Sequence, residues 1–134
     1  MKSIHAAILI AATLCLSPLT VNAEGSLSVA EQAAIQAAMQ RHIDRNLVDE
    51  TVLYIDHETG EVRPLYPVTA HPMILAYGEH FVLCFDFRDD DGQNVPIDYY
   101  MARQDNGFVV FHTAVADRAL LQTLMSDGKV TRLN

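Results

Sequence analysis

The chain is predicted to fold as α+β, with a long N-terminal helix packed on a twisted antiparallel sheet, a meander, and a short C-terminal helix. Three observations predict it. The stretch from His80 to Val115 holds three runs rich in β-branched and aromatic residues, parted by Asp89-Asp90-Asp91-Gly92 and Asp105-Asn106-Gly107. Turn signals between alternating runs mark antiparallel hairpins. Before that stretch, a capping-box pair opens an apolar stripe at helical spacing. After it, a short apolar run ends on Gly128.

The first 23 residues read as a cleavable leader. Lys2 supplies a positive start, Ala6 to Leu16 an uncharged apolar run, and Val21-Asn22-Ala23 the small residues of a cleavage site after Ala23. The apolar run is too short for a membrane span, which needs about 20 residues. Leu14 before Cys15 makes a poor lipoprotein signal. The expected product is therefore periplasmic or secreted, one α+β domain over residues 24–134.

Removing Lys2 leaves 8 Lys and Arg against 17 acids, a net charge of −9. So acidic a chain lacks the basic surface a nucleic acid needs. Cys15 leaves with the leader, so Cys84 stands alone and no intramolecular disulfide is possible.

Along the chain, Ser26 to Asn46 is the first helix, with Ser28 and Glu31 as its capping box. Ile35, Met39, Ile43 and Leu47 form its apolar stripe. Thr51 to Asp56 is a strand, His57-Glu58-Thr59-Gly60 a turn, and Glu61 to Tyr66 a weaker strand carrying Pro64. Pro67 and Pro72 are expected to bracket a loop, or an irregular crossing, containing His71, before a further apolar run from Met73 to Tyr77. Next, Phe81, Leu83, Phe85 and Phe87 share one strand face, and Val82, Cys84 and Asp86 the other. The Phe/Leu face must be core, since its exposure would leave a large apolar patch. Ile97, Tyr99 and Met101 alternate with Asp98, Tyr100 and Ala102. Strict alternation then sets Val109, Phe111 and Thr113 opposite Phe108, Val110 and His112. Asp117 is the expected N-cap of the last helix, and Val130 to Leu133 a final strand or docked tail.

The element order, together with the run from Asp86-Phe-Arg-Asp-Asp-Asp-Gly92 to Val110, resembles the cystatin-like and NTF2-like α+β group and its small secreted bacterial members. The resemblance implies a helix laid on a curved sheet. The Gln-Val-x-Ala-Gly hairpin of cystatin inhibitors is missing, so protease inhibition is not implied. NTF2-like enzymes carry more N-terminal helices around a pocket, whereas one helix precedes the sheet here.

Four constellations bear on function. Asp86, Asp89, Asp90, Asp91 and Gly92 offer oxygens for calcium, but Phe87 and Asp98 occupy the first and last positions of an EF-hand register. A solvated acidic hairpin is the preferred reading. After cleavage the histidines are His42, His57, His71, His80 and His112, without a His-x-His or His-x-x-x-His pair. Cys84 and His112 have the parity to meet on one face, as a metal-binding or nucleophile–base pair. A meander sets strand 95–103 between them, which favours an inert thiol. Asp98 with Tyr99 or Tyr100 would suit proton transfer at a carbonyl in an NTF2-like pocket. The simpler account pairs Asp98 with an Arg and leaves the Tyr hydroxyls wet. Finally, Pro64, Tyr66, Pro67, Pro72, Met73 and Tyr77 mark a sheet edge that either binds a peptide strand or is blunted against one.

The preferred reading is a small periplasmic or secreted non-enzymatic binding or structural module with a protein or small-molecule partner. No nucleic acid, membrane span or cofactor is expected. The expected binding surface surrounds Asp98, Tyr100, Cys84 and His112. The alternatives are an NTF2-like pocket protein using Asp98 and Tyr99 or Tyr100, and a metal-binding protein using Cys84 and His112.

Overall fold

A computed structural model describes residues 26–133; the expected leader lies outside them. The described residues are α+β, with two helices and a seven-stranded antiparallel sheet among them. Helix α1 spans Val29–Arg45. Its capping box is formed: the Ser28 hydroxyl accepts from the Glu31 amide at 3.2 Å, and the Glu31 carboxylate from the Ser28 amide at 3.1 Å. These contacts satisfy amide donors that a helix start leaves orphaned. Ser28→Ala is expected to cost about 1 kcal/mol in urea unfolding. An unchanged midpoint would show that the cap adds nothing. At the other end, the Asn46 side chain donates to the His42 carbonyl at 2.7 Å.

Strand β1 is Leu47–Val48 and β2 is Thr51–Ile55. Asp49 and Glu50, both at positive φ, make the tight turn between them. Strand β3 is one continuous Val62–Tyr77, not two runs parted by a proline loop. Two register shifts against the next strand, between Pro67 and Thr69 and between Ala70 and Ile74, explain the difference. The ladder is interrupted there in any case, so the missing proline amides break few bonds. Strands β4 (His80–Arg88), β5 (Asn94–Gln104) and β6 (Gly107–Val115) continue in order. Helix α2 is Ala119–Ser126, and β7 (Val130–Arg132) pairs with β3 at residues 75–77. Between β2 and β7, residues 66–74 have no strand partner on that margin among the described residues. The proline-rich stretch is therefore an edge for only part of its length.

The sheet has a core on each face. Ile35, Ala38, Met39 and Ile43 of α1 pack with Phe81, Leu83, Phe85, Phe87, Ile97, Tyr99 and Met101. On the other face, Leu121 and Leu124 of α2 pack with Leu75, Val82, Tyr100, Ala114 and Val130. Tyr100 is thus buried, 2% exposed, and its hydroxyl has no hydrogen-bond partner. That corrects the expectation of a wet hydroxyl: α2 covers the ring.

A second correction concerns β6. The register shifts so that Tyr100 faces His112 while Met101 faces Val110, which leaves Phe111 as the extra residue of a bulge. Strict alternation would set Phe111 and His112 on opposite faces. Instead both rings lie near Tyr100, at 6.4 and 5.3 Å. A third correction is small. The N-cap of α2 is Arg118, and the Asp117 carboxylate still accepts from the Ala119 amide at 2.9 Å.

The acidic hairpin is held internally. Arg63 donates to Asp90 at 2.7 Å and to Asp91 at 3.0 Å, and Asp89 accepts from the Gln93 amide at 2.7 Å.

Candidate functional site

Two neighbouring groups of side chains occupy the α2 side of the sheet. The first is polar. Cys84 on β4 faces Asp98 on β5 in register, so both project to one side. Asp86 lies two residues along β4 on the same side. His71 reaches it from the irregular stretch of β3: the four steps of β3 from Ala70 to Ile74 face only two steps of β4 from Phe85 to Leu83. The extra length re-aims His71, whose Nε2 sits 2.7 Å from Asp86 Oδ2. The Asn94 amide donates to the other Asp86 oxygen at 3.4 Å. One donor atom each of His71, Cys84 and Asp86 lies within 4.8 Å of the others.

Arg118 closes this group from above. Ala116, at φ 54°, turns the chain out of β6, and its amide donates to the Pro96 carbonyl at 3.0 Å. A non-glycine residue there is uncommon and is held by such bonds. The turn brings an Arg118 guanidinium nitrogen 2.6 Å from Cys84 Sγ and 3.7 Å from Asp98 Oδ1.

The electrostatics follow from burial. The Cys84 thiol is pushed up to about 12 by burial and by the adjacent Asp98, with Arg118 pulling the other way. It is therefore a neutral thiol at physiological pH and a poor nucleophile. The Asp98 carboxyl, 1% exposed, is raised above the usual range by burial, against the pull of Cys84 and Arg118. Neither of its oxygens has a hydrogen-bond partner. The bond to His71 holds Asp86 below its usual range.

The second group is aromatic. Tyr100 meets Tyr77 at 6.3 Å, Phe111 at 6.4 Å and His112 at 5.3 Å. His80 lies edge-on to Phe111 at 5.3 Å and tilted against Tyr77 at 6.4 Å. The Phe111 ring is 52% exposed although its neighbour Tyr100 is buried. An open depression of about 640 Å³ lies beside it, lined by Tyr77, Gly78, Glu79, His80, Phe111 and Lys129. A second, of about 790 Å³, runs from His112 past Leu120 and Asp117 to Glu58.

The structure therefore splits the residues singled out in the sequence. Cys84 and Asp98 come together, and Tyr100 and His112 come together. Cys84 and His112 do not, because β5 stands between their strands. Two strand spacings amount to about 10 Å, so the Cys84–His112 metal or nucleophile pair is not formed. Asp98 and Tyr99 are also parted: Tyr99 is buried on the α1 side, edge-on to His42 at 5.7 Å. Sequence reasoning missed His71 and Arg118. His71 lies in a bulged stretch without periodicity, and Arg118 arrives through a left-handed turn at an alanine.

Comparison with known proteins finds no matching family model, curated protein or solved structure.

Proposed function

We propose that this chain is a small exported, non-enzymatic binding module that docks a partner polypeptide on the α2 side of its sheet. The observation that carries the reading is Phe111. A bulge turns its ring outward, and Tyr100 and His80 brace it while half of it stays in solvent. A rigid aromatic ring held above a depression loses little freedom on binding, and such anchors dominate interface energies. Exposed Leu120 and Met125 extend the apolar surface along α2. Glu79 lines the first depression together with Lys129, Glu58 and Asp117 line the second, and the chain as a whole is strongly acidic. The fitting partner segment is apolar with basic flanks. The element order supports a kinship with the cystatin-like and NTF2-like group, in which a long first helix lies across a twisted sheet.

Phe111→Ser tests the reading. The ring is half exposed, so the variant should fold. Affinity capture of exported proteins with the mature chain, followed by titration of the captured partner, should show binding weakened by about 30-fold, as for loss of a hot spot near 2 kcal/mol. Equal binding by wild type and Phe111→Ser would discard this face as the interface.

A further inference from the structure

We propose that His71, Cys84 and Asp86, with the buried Asp98 carboxyl beside Cys84, form a binding site for one divalent transition-metal ion of the zinc class, and that the Arg118 guanidinium stands on the Cys84–Asp98 side of that site. Three donor atoms, from imidazole, thiol and carboxylate, already lie within 4.8 Å of one another. Around a four-coordinate zinc ion, bonds of about 2.0–2.3 Å set donor atoms about 3.3–3.8 Å apart. The His71–Asp86 contact at 2.7 Å must open by under an ångström or so, and the thiol must approach, to reach that spacing. Both His71 and Asp86 retain solvent-facing side-chain surface, at 40% and 21%, and have room to adjust. Sulfur and imidazole donors select zinc or copper over calcium and magnesium, which want oxygen alone.

Asp98 supplies the independent observation. Its carboxyl is 1% exposed and faces Cys84 in register, neither oxygen accepts a bond of full hydrogen-bond geometry, and only the weak Cys84 thiol and the Arg118 guanidinium at 3.7 Å stand by it. A buried carboxylate so weakly partnered is costly, and a cation is what would offset it. Arg118 does so incompletely. A charge-assisted bond to a carboxylate is about 2.7–2.9 Å, whereas the guanidinium stands 3.7 Å from Asp98 and has its nearer contact with the Cys84 sulfur. One cation thus faces a sulfur and a carboxylate and fits neither well. The Arg118 side chain is 37% exposed and can swing into solvent. An incoming ion would then take His71, Cys84 and Asp86 as ligands, with Asp98 as fourth ligand or close counter-charge. The thiol proton would pass to solvent.

The test uses the mature chain, stripped with a chelator and titrated with zinc against a chromophoric competitor. One ion per chain is expected. Cys84→Ser and His71→Ala should each weaken binding by at least about 10-fold. Arg118→Ala should strengthen it several-fold, because the ion no longer displaces a cation. His112→Ala should leave it unchanged. Cobalt in place of zinc should give a thiolate-to-metal absorption band that reports sulfur ligation directly. His71→Ala alters a partly exposed side chain, so the test survives a Cys84 variant that fails to fold. No stoichiometric binding by wild type would overturn the site. Binding that survives both ligand variants would do the same, by assigning the ion to other residues such as the 89–91 acids.

Discussion

Phe85→Ala is expected to lower the free energy of unfolding by about 3–5 kcal/mol, the usual loss for a truncated core aromatic. Phe85 is 5% exposed, and its ring lies 4.9 Å from that of Phe87 within the α1-side core. Small domains hold about 5–15 kcal/mol in all. The sole cysteine among the described residues is a free thiol, so no cross-link limits the loss. Urea unfolding of the two proteins measures it directly. Tyr100 is the informative comparison. An exposed Tyr100, as the wet hydroxyl expected from the sequence implies, would make Tyr100→Ala mild. The ring is buried between the sheet and α2, so truncation should cost a similar several kcal/mol. Tyr100→Phe should behave differently. It removes only a hydroxyl that has no partner, and should be neutral or stabilising by about 1 kcal/mol. A loss of that size instead would reveal a hydrogen bond made by the hydroxyl and remove the case for a dry ring.

The α1-side core was readable because it rests on local, periodic signals. Phe81, Leu83, Phe85 and Phe87 alternate without interruption, and each is buried. The Ser28–Glu31 cap involves residues three apart. The α2-side face was less readable because it is assembled across strands. A register slip of one residue reverses every side chain beyond it, and the bulge at Phe111 does this in the middle of an otherwise regular strand. No residue near Phe111 marks that bulge. The proline-bearing stretch is undecided in the sequence for a related reason: Pro67 and Pro72 are compatible with a loop or with an irregular crossing, and pairing with β4 decides. The polar group combines both difficulties. His71 depends on the irregular stretch of β3, and Arg118 on the left-handed turn at Ala116. Asp98 and Cys84 could be placed on one face from parity alone, but the groups that surround them could not.

Asp98→Asn is expected to raise stability at neutral pH and to flatten the pH dependence of the metal-free chain. The groups around the carboxyl are Cys84, Arg118, His71 and Asp117, and burial is the dominant influence on it. Its folded-state pKa lies above the unfolded value near 3.9. Between those two values the folded chain holds a proton that the unfolded chain has lost. Stability therefore falls as pH rises through that window. Asp98 contributes its full share below the unfolded pKa and loses it as pH climbs past the folded one. Asparagine has nearly the same shape and no charge to bury, so it should recover about 1–3 kcal/mol at neutral pH. Arg118, then unpaired, is exposed enough to turn into water. Urea midpoints from pH 4 to pH 8 would show a downward drift in wild type and little drift in Asp98→Asn. A variant less stable than wild type at neutral pH would mean that Arg118 compensates the carboxylate well, and would remove the electrostatic motive for a second cation at this site. A more stable variant that binds zinc more weakly would show that the chain keeps a destabilising buried carboxylate at the point where a metal ion uses it.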